Sequence, residues 1–137
     1  MISFEEVQQA AYNRLVGDVT LTSKLAQGAS SVMDQMEQEP PYPLVHLDYI
    51  TATPYWVHGE TPTADTAYLH MAVWSKKNSW AEADAIARDV VRLLGRYQVV
   101  QGDYNLQFMY GWAHQIRSPD GKLRQIAFRF KVLALDP

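Results

Sequence analysis

The sequence predicts an α+β fold: a mainly antiparallel sheet with a long C-terminal hairpin, and an N-terminal helix and one long central helix packed on one face. Three observations predict it. Residues 68–95, YLHMAVWSKKNSWAEADAIARDVVRLLG, pass from an alternating apolar segment through a short polar break into an amphipathic helix. Residues 105–117 and 123–135 alternate on either side of Ser118-Pro119-Asp120-Gly121, where proline presets one dihedral and glycine supplies a positive one. The order of elements is helix, short helix, strands, long helix, strands, with no internal repeat, as expected of one domain over residues 1–137.

From the N-terminus, Ser3 and Glu6 have capping-box spacing, and Phe4, Val7, Ala11 and Leu15 give the first helix an apolar stripe ending near Gly17. Asp18 or Thr20 can cap a brief helix with Leu21 and Leu25 facing inward, closed by Gly28. Ser31, Val32 and Met33 suit a short strand. Asp34, Glu37 and Glu39 then lead into Pro40, Pro41 and Pro43, which lack backbone donors, so this stretch reads as an exposed acidic loop. Leu44 to Thr53 alternates as a strand, with Val45, Leu47 and Tyr49 on one face and Leu44, His46, Asp48 and Ile50 on the other. Residues 54–65 have no steady period and read as a long hairpin connection. Its aromatic pair, Tyr55 and Trp56, suits contact with a partner or a return onto its own sheet.

The next strand puts Leu69, Met71 and Val73 on one face and Tyr68, His70, Ala72 and Trp74 on the other. Large apolar groups on both faces mark a central strand. Ser79 and Glu82 read as a second capping box, Ala83, Ile86, Ala87, Val90, Leu93 and Leu94 as the packed face of the long helix, and Gly95 as its left-handed stop. Tyr97 to Val100 forms a short strand. In the final hairpin, Leu106, Phe108, Tyr110, Trp112 and Ile116 share one register and are assigned to the interior rather than to base stacking. Ile126, Phe128, Phe130, Val132 and Ala134 form the buried face of the last strand, with Gln125, Arg129 and Lys131 projecting from the other.

A chain of 137 residues, 47% hydrophobic and with no cysteine, can build its core without disulfides and has no thiol nucleophile or cysteine-ligated zinc. A reducing cytoplasm fits this usage, and no stretch resembles a secretory signal or a membrane span. The net charge of −3 conceals a split: residues 1–75 carry −7 and residues 76–137 carry +4. Such a split reflects either scattered surface charge or an acidic face that meets a basic face on a neighbour. The basic residues are dispersed, which disfavours tight nucleic-acid binding.

Catalytic patterns are scarce. His46, His58, His70 and His114 lie far apart with no H-E-x-x-H spacing, and the nearest approach to a ligand pair, His46 with Asp48, lacks a third ligand. No nucleophile elbow, P-loop or dinucleotide fingerprint occurs. No catalytic residue, metal or cofactor is expected.

The opening AAYNRLVGDVTLTSKLA, the proline-flanked PPYPLVHLDY and above all AVWSKKNSWAEADAIARDVVRLLG resemble the tail completion family of long-tailed bacteriophages, prophages and gene transfer agents, also called tail terminator or tail-to-head joining proteins. The resemblance spans most of the chain. It implies a non-enzymatic virion protein of the tail or neck, made in the host cytoplasm, that forms a ring, a hexamer in this reading, at the head-proximal end of the tail tube. Its implied partners are further copies of itself, the tail tube protein and head–tail connector proteins, with DNA passing through without specific binding and no membrane contact. A head-to-tail ring needs two complementary patches on each subunit. Asp34, Glu37 and Glu39 are expected to face Arg124, Arg129 and Lys131 of a neighbour, and Tyr55 and Trp56 to contact tube or neck. The rival readings are a small soluble ligand-binding module or enzyme using His46, Asp48, His70 or His114, and a head-side neck adaptor.

Overall fold

A computed structural model describes residues 2–55 and 64–135. Helix α1 (Phe4–Val16) opens at Ser3, whose side chain accepts from the Glu6 N–H. It buries Val7, Ala10, Ala11 and Leu15. Phe4 departs from the expected stripe and is 40% exposed, while Ile2, two residues before it and just ahead of the cap, is fully buried. Asp18 caps α2 (Val19–Thr22) by accepting from the Leu21 N–H at 3.0 Å. A 3-10 turn (Gly28–Ser31), entered through a left-handed Gly28, leads into β1 (Val32–Met33).

The remaining elements are β2 (Leu44–Tyr55), β3 (Ala64–Ser75), α3 (Ala81–Leu94), β4 (Gln98–Gln101), β5 (Tyr104–Arg117) and β6 (Arg124–Leu135). They form one curled sheet in the order β1-β2-β3-β6-β5-β4, antiparallel throughout except where β1 runs parallel to β2. β3 is central, as its two apolar faces predict. β2 and β3 pair as far as Tyr55 and Ala64, so the connection between them is shorter than the sequence suggests. The β5–β6 turn forms as read: Gly121 takes φ 73°, and its N–H donates to the Ser118 carbonyl.

All three helices contribute to a single core against one sheet face. Phe108, Phe128 and Phe130 are its largest buried side chains, each stabilising the fold by about 1.5–3 kcal/mol through removal of apolar surface from water. Polar bonds fix the helices to one another. Arg14 donates to the Leu93 carbonyl and lies over the Tyr97 ring, Lys24 pairs with Asp89 at 2.6 Å, and Arg92 pairs with Asp18 at 2.8 Å. Arg92 holds the Asp18 carboxyl below its usual range.

Both ends of α3 differ from expectation. Its N-cap is Trp80, without a side-chain bond, because Glu82 is taken by the buried Ser75, whose hydroxyl donates to Glu82 Oε1 at 2.8 Å. Glu82 and Asp84 still place negative charge in the first turn, where the helix dipole favours it. Gly95 keeps right-handed torsions, φ −64°, rather than reversing the chain. The backbone after the helix continues along β5, the Gly95 and Tyr97 carbonyls accepting from the Tyr110 and Phe108 N–H groups.

Two bulges set which side chains face the helices. In β2, Leu47 pairs with Met71 and Tyr49 with His70, so Asp48 is an extra residue. In β5, Tyr110 pairs with Phe130 and Trp112 with Arg129, so Gly111 is the extra one. An inserted residue inverts a strand's alternation. Tyr49, expected beside Val45 and Leu47, therefore turns to the bare face and is 53% exposed. Trp112 and Ile116, expected in the core with Phe108, also turn outward, and Ala113 takes their place against the core. Tyr110 remains on the helix face but is 46% exposed, edge-on to Phe130.

Candidate functional site

The sheet face opposite the helices carries the side chains that the core does not use. The strand registers align them in rows. Tyr49, His70, Arg129 and Trp112 form one row across β2, β3, β6 and β5, and the next contains Tyr68, Lys131 and Met109. Tyr49 stacks on His70 with ring centroids 4.1 Å apart, and the Arg129 guanidinium lies 4.3 Å over the Tyr68 ring. Trp112, 39% exposed, stacks on His114 at 5.1 Å. Burial and the neighbouring Arg129 charge lower the His70 pKa, against a smaller opposing effect of Asp48. The row is an aromatic and cationic surface, and the rings of His70 and His114 are occupied by stacking.

The expected site residues fall into separate places. Asp34, Glu37 and Glu39 are exposed on the segment that follows β1, at one edge of the sheet. Arg129 and Lys131 lie on the bare face. Arg124 does not join them: it sits on the opposite side of β6, 8% exposed, donating to the Lys77 carbonyl and lying over the Trp80 ring. Strand alternation explains this, because an even-numbered residue on β6 points toward the helices while residues 129 and 131 point away. Tyr55 ends β2, and Trp56 lies outside the described residues.

The candidate catalytic residues do not converge. His46 Nε2 lies 3.2 Å from the Asp34 carbonyl, His70 is engaged with Tyr49, and His114 lies beyond β6 on β5. His58 lies outside the described residues. Among the described residues no group of three His, Asp or Glu side chains is placed to hold a metal ion. No helix among them is long and apolar enough to cross a membrane.

Two grooves open at the lateral edges. One, about 410 Å³, runs between α3 and β5, with Val91, Tyr110, Ile126 and Phe128 as its apolar wall and Asp84 and Arg88 at its rim. The other, about 520 Å³, runs between α1 and β1, lined by Glu5, Gln8, Tyr12, Val32, Met33 and Asp34 among others. Neither was legible as a site from the sequence. The usable signal was Gly111, since a glycine inside a strand pattern marks a bulge or a close backbone approach. A Cβ there would meet the Arg129 carbonyl oxygen.

The profile of a family described as Tail completion protein gp17 matches residues 9–134. No curated protein sequence matches the chain. Among solved structures, a chain in a structure titled "Virion of native gene transfer agent (GTA) particle" is similar at 19% identity, with 96% of each chain covered and a TM-score of 0.82. That likeness establishes a shared fold.

Proposed function

The chain belongs to the tail completion protein gp17 family, and from that premise we propose that it is a structural, non-enzymatic part of a phage-type tail that assembles with itself into a ring at the head-proximal end of the tube. In this role it ends tube growth or joins tail to head, and six copies close the ring. The tail tube protein and head–tail connector proteins are its neighbours. The single observation that carries the reading is the family match over nearly the whole chain. The geometry supports it: the sheet presents an aromatic and cationic face away from the helices, and His46, His70 and His114 do not meet in a pocket.

The acidic segment Asp34, Glu37, Glu39 follows β1 at one edge of the sheet, and the pair Arg129, Lys131 lies on the bare face of the internal strand β6. A head-to-tail contact uses two different patches in that way, and opposite charge gives the correct pair a faster and more selective encounter. Arg124 serves its own chain instead. The aromatic residues Tyr55 and Trp56 are assigned to contact with tube or neck. DNA passing through such a ring is not gripped, because the basic side chains are dispersed rather than gathered into one phosphate-binding stripe.

Mass measured in solution, alone and with purified tail tubes, tests the proposal together with electron microscopy of intact particles. A closed multimer on tube ends is the expected result. A protein that stays monomeric under both conditions and is missing from the particle neck would overturn it.

A further inference from the structure

β5 is half covered. β4 pairs with it only from Tyr104 to Gln107, and the chain at residues 95–97 takes the Phe108 and Tyr110 N–H groups. Beyond Tyr110 the strand continues for seven residues to Arg117 with β6 on one side and, among the described residues, no strand on the other. Ladder alternation directs the N–H and C=O groups of Ala113 and Gln115 to that open side, because their partners Phe128 and Ile126 continue the parity of the Tyr110–Phe130 pair. Exposed edges are normally blunted by charge, proline or a covering element. This one instead carries the exposed apolar side chains of Trp112 and Ile116, with an apolar groove beside it.

β1 lies on the far edge, and two geometric facts match it to the open stretch. The first is direction: β1 runs parallel to β2, and β5 runs antiparallel to both, so a second copy in the same orientation presents its β1 antiparallel to β5. The second is height. Gln115 pairs with Ile126, Ile126 with Val73, Val73 with Val45, and Val45 with Val32, so the open part of β5 is level with β1 across the sheet. Charge agrees as well. Residues 34–39 hold Asp34, Glu37 and Glu39 and no base, whereas Arg117 stands at the end of the open edge; Arg88 at the groove rim is paired with Asp84 at 2.9 Å.

We infer that neighbouring copies join by strand addition: β1 and the start of the acidic segment of one copy complete the open edge of β5 in the next. This rests on the self-assembly reading above and names the surfaces that carry it. Backbone hydrogen bonds from Ala113 and Gln115 supply affinity, and the groove between α3 and β5 supplies selectivity. The contact is heterologous, as a ring requires.

The absence of native cysteine permits a direct test. Asp34→Cys and Gln115→Cys proteins are mixed and treated with a short bis-maleimide; within one copy these sites are about 19 Å apart at ordinary strand spacing, beyond its reach. Cross-linked dimer is expected from the mixture and from neither protein alone. Separately, Gln115→Pro removes an edge N–H that no internal strand uses, and should weaken self-assembly about tenfold or more while Gln115→Thr assembles normally. If the parent forms rings but the mixture does not cross-link, or Gln115→Pro assembles like the parent, strand addition is wrong and the ring reading stands. Should Gln115→Pro fail to fold, the cross-link alone decides. If the parent assembles neither alone nor on tubes, the ring reading itself fails; cross-linking only to a different virion protein overturns the second copy as occupant.

Discussion

His70 shows how one side chain reports its surroundings. It stacks on Tyr49 on one side and faces Arg129 on the other, and burial plus that cation lower its pKa below 6.5. The unfolded chain therefore takes up a proton near pH 6.5 that the folded chain accepts only at lower pH, so stability falls as pH drops through this window. Arg129→Gln removes the like charge and should raise the His70 midpoint, which an imidazole NMR titration will read directly; an unchanged midpoint would mean that burial alone sets it. Asp18 works in the opposite sense. Its lowered pKa adds stability that is present above about pH 4 and lost as pH falls through the folded value. Asp89, nearly buried, accepts from both Lys24 and Arg92. Lys24→Met leaves it the longer contact at 3.4 Å and should cost roughly 1–2 kcal/mol in urea unfolding, between the values for surface and buried pairs.

At the scale of elements, the bulges decide more than the propensities do. Gly111 sits where a Cβ would come within 2.4 Å of the Arg129 carbonyl oxygen, a backbone atom that cannot swing aside. Gly111→Ala should therefore destabilise by about 1–3 kcal/mol, seen as a lower denaturant midpoint with the slope unchanged. Asp48 behaves differently. Its removal would leave Leu47 facing the helices and Tyr49 facing away, which is how they already stand, so a chain lacking Asp48 should keep its near-UV circular dichroism. A chain lacking His70, in unbulged β3, should lose it, because half that strand would turn over. The same bulges mark how far the sequence could be read. The succession of elements along the chain, the central position of β3 and the hairpin turn were legible, since each rests on a local pattern; the order of strands across the sheet was not, because it pairs β3 with the distant β6. The exposure of Tyr49, Trp112 and Ile116 was not, because the run from Leu106 to Ile116 looks equally regular with or without an extra residue. Nor was the loss of the Ser79–Glu82 cap, which depends on Ser75 arriving from another element to claim Glu82.

For the whole molecule, the charge split acquires a location. The acidic segment follows β1 at one edge, and Arg129 and Lys131 lie on the bare face of the internal strand β6. Arg129→Glu with Lys131→Glu should weaken assembly at low ionic strength and matter less in about 1 M salt, where the Debye length shrinks to about 3 Å. Sedimentation across a salt series checks this; equal assembly throughout would exclude these two residues from the contact. Phe130→Ala acts through the core instead and should cost about 3–5 kcal/mol at any salt concentration. Packing every helix against one side of the sheet has a genetic corollary. Positions such as Tyr68, His70 and Gln125 are released from the volume constraints that bind Phe128 or Met71, so a library randomised over the outward side should yield mostly folded members whose self-recognition has diverged. One scaffold could thereby supply many mutually exclusive assemblies without altering a single interior residue.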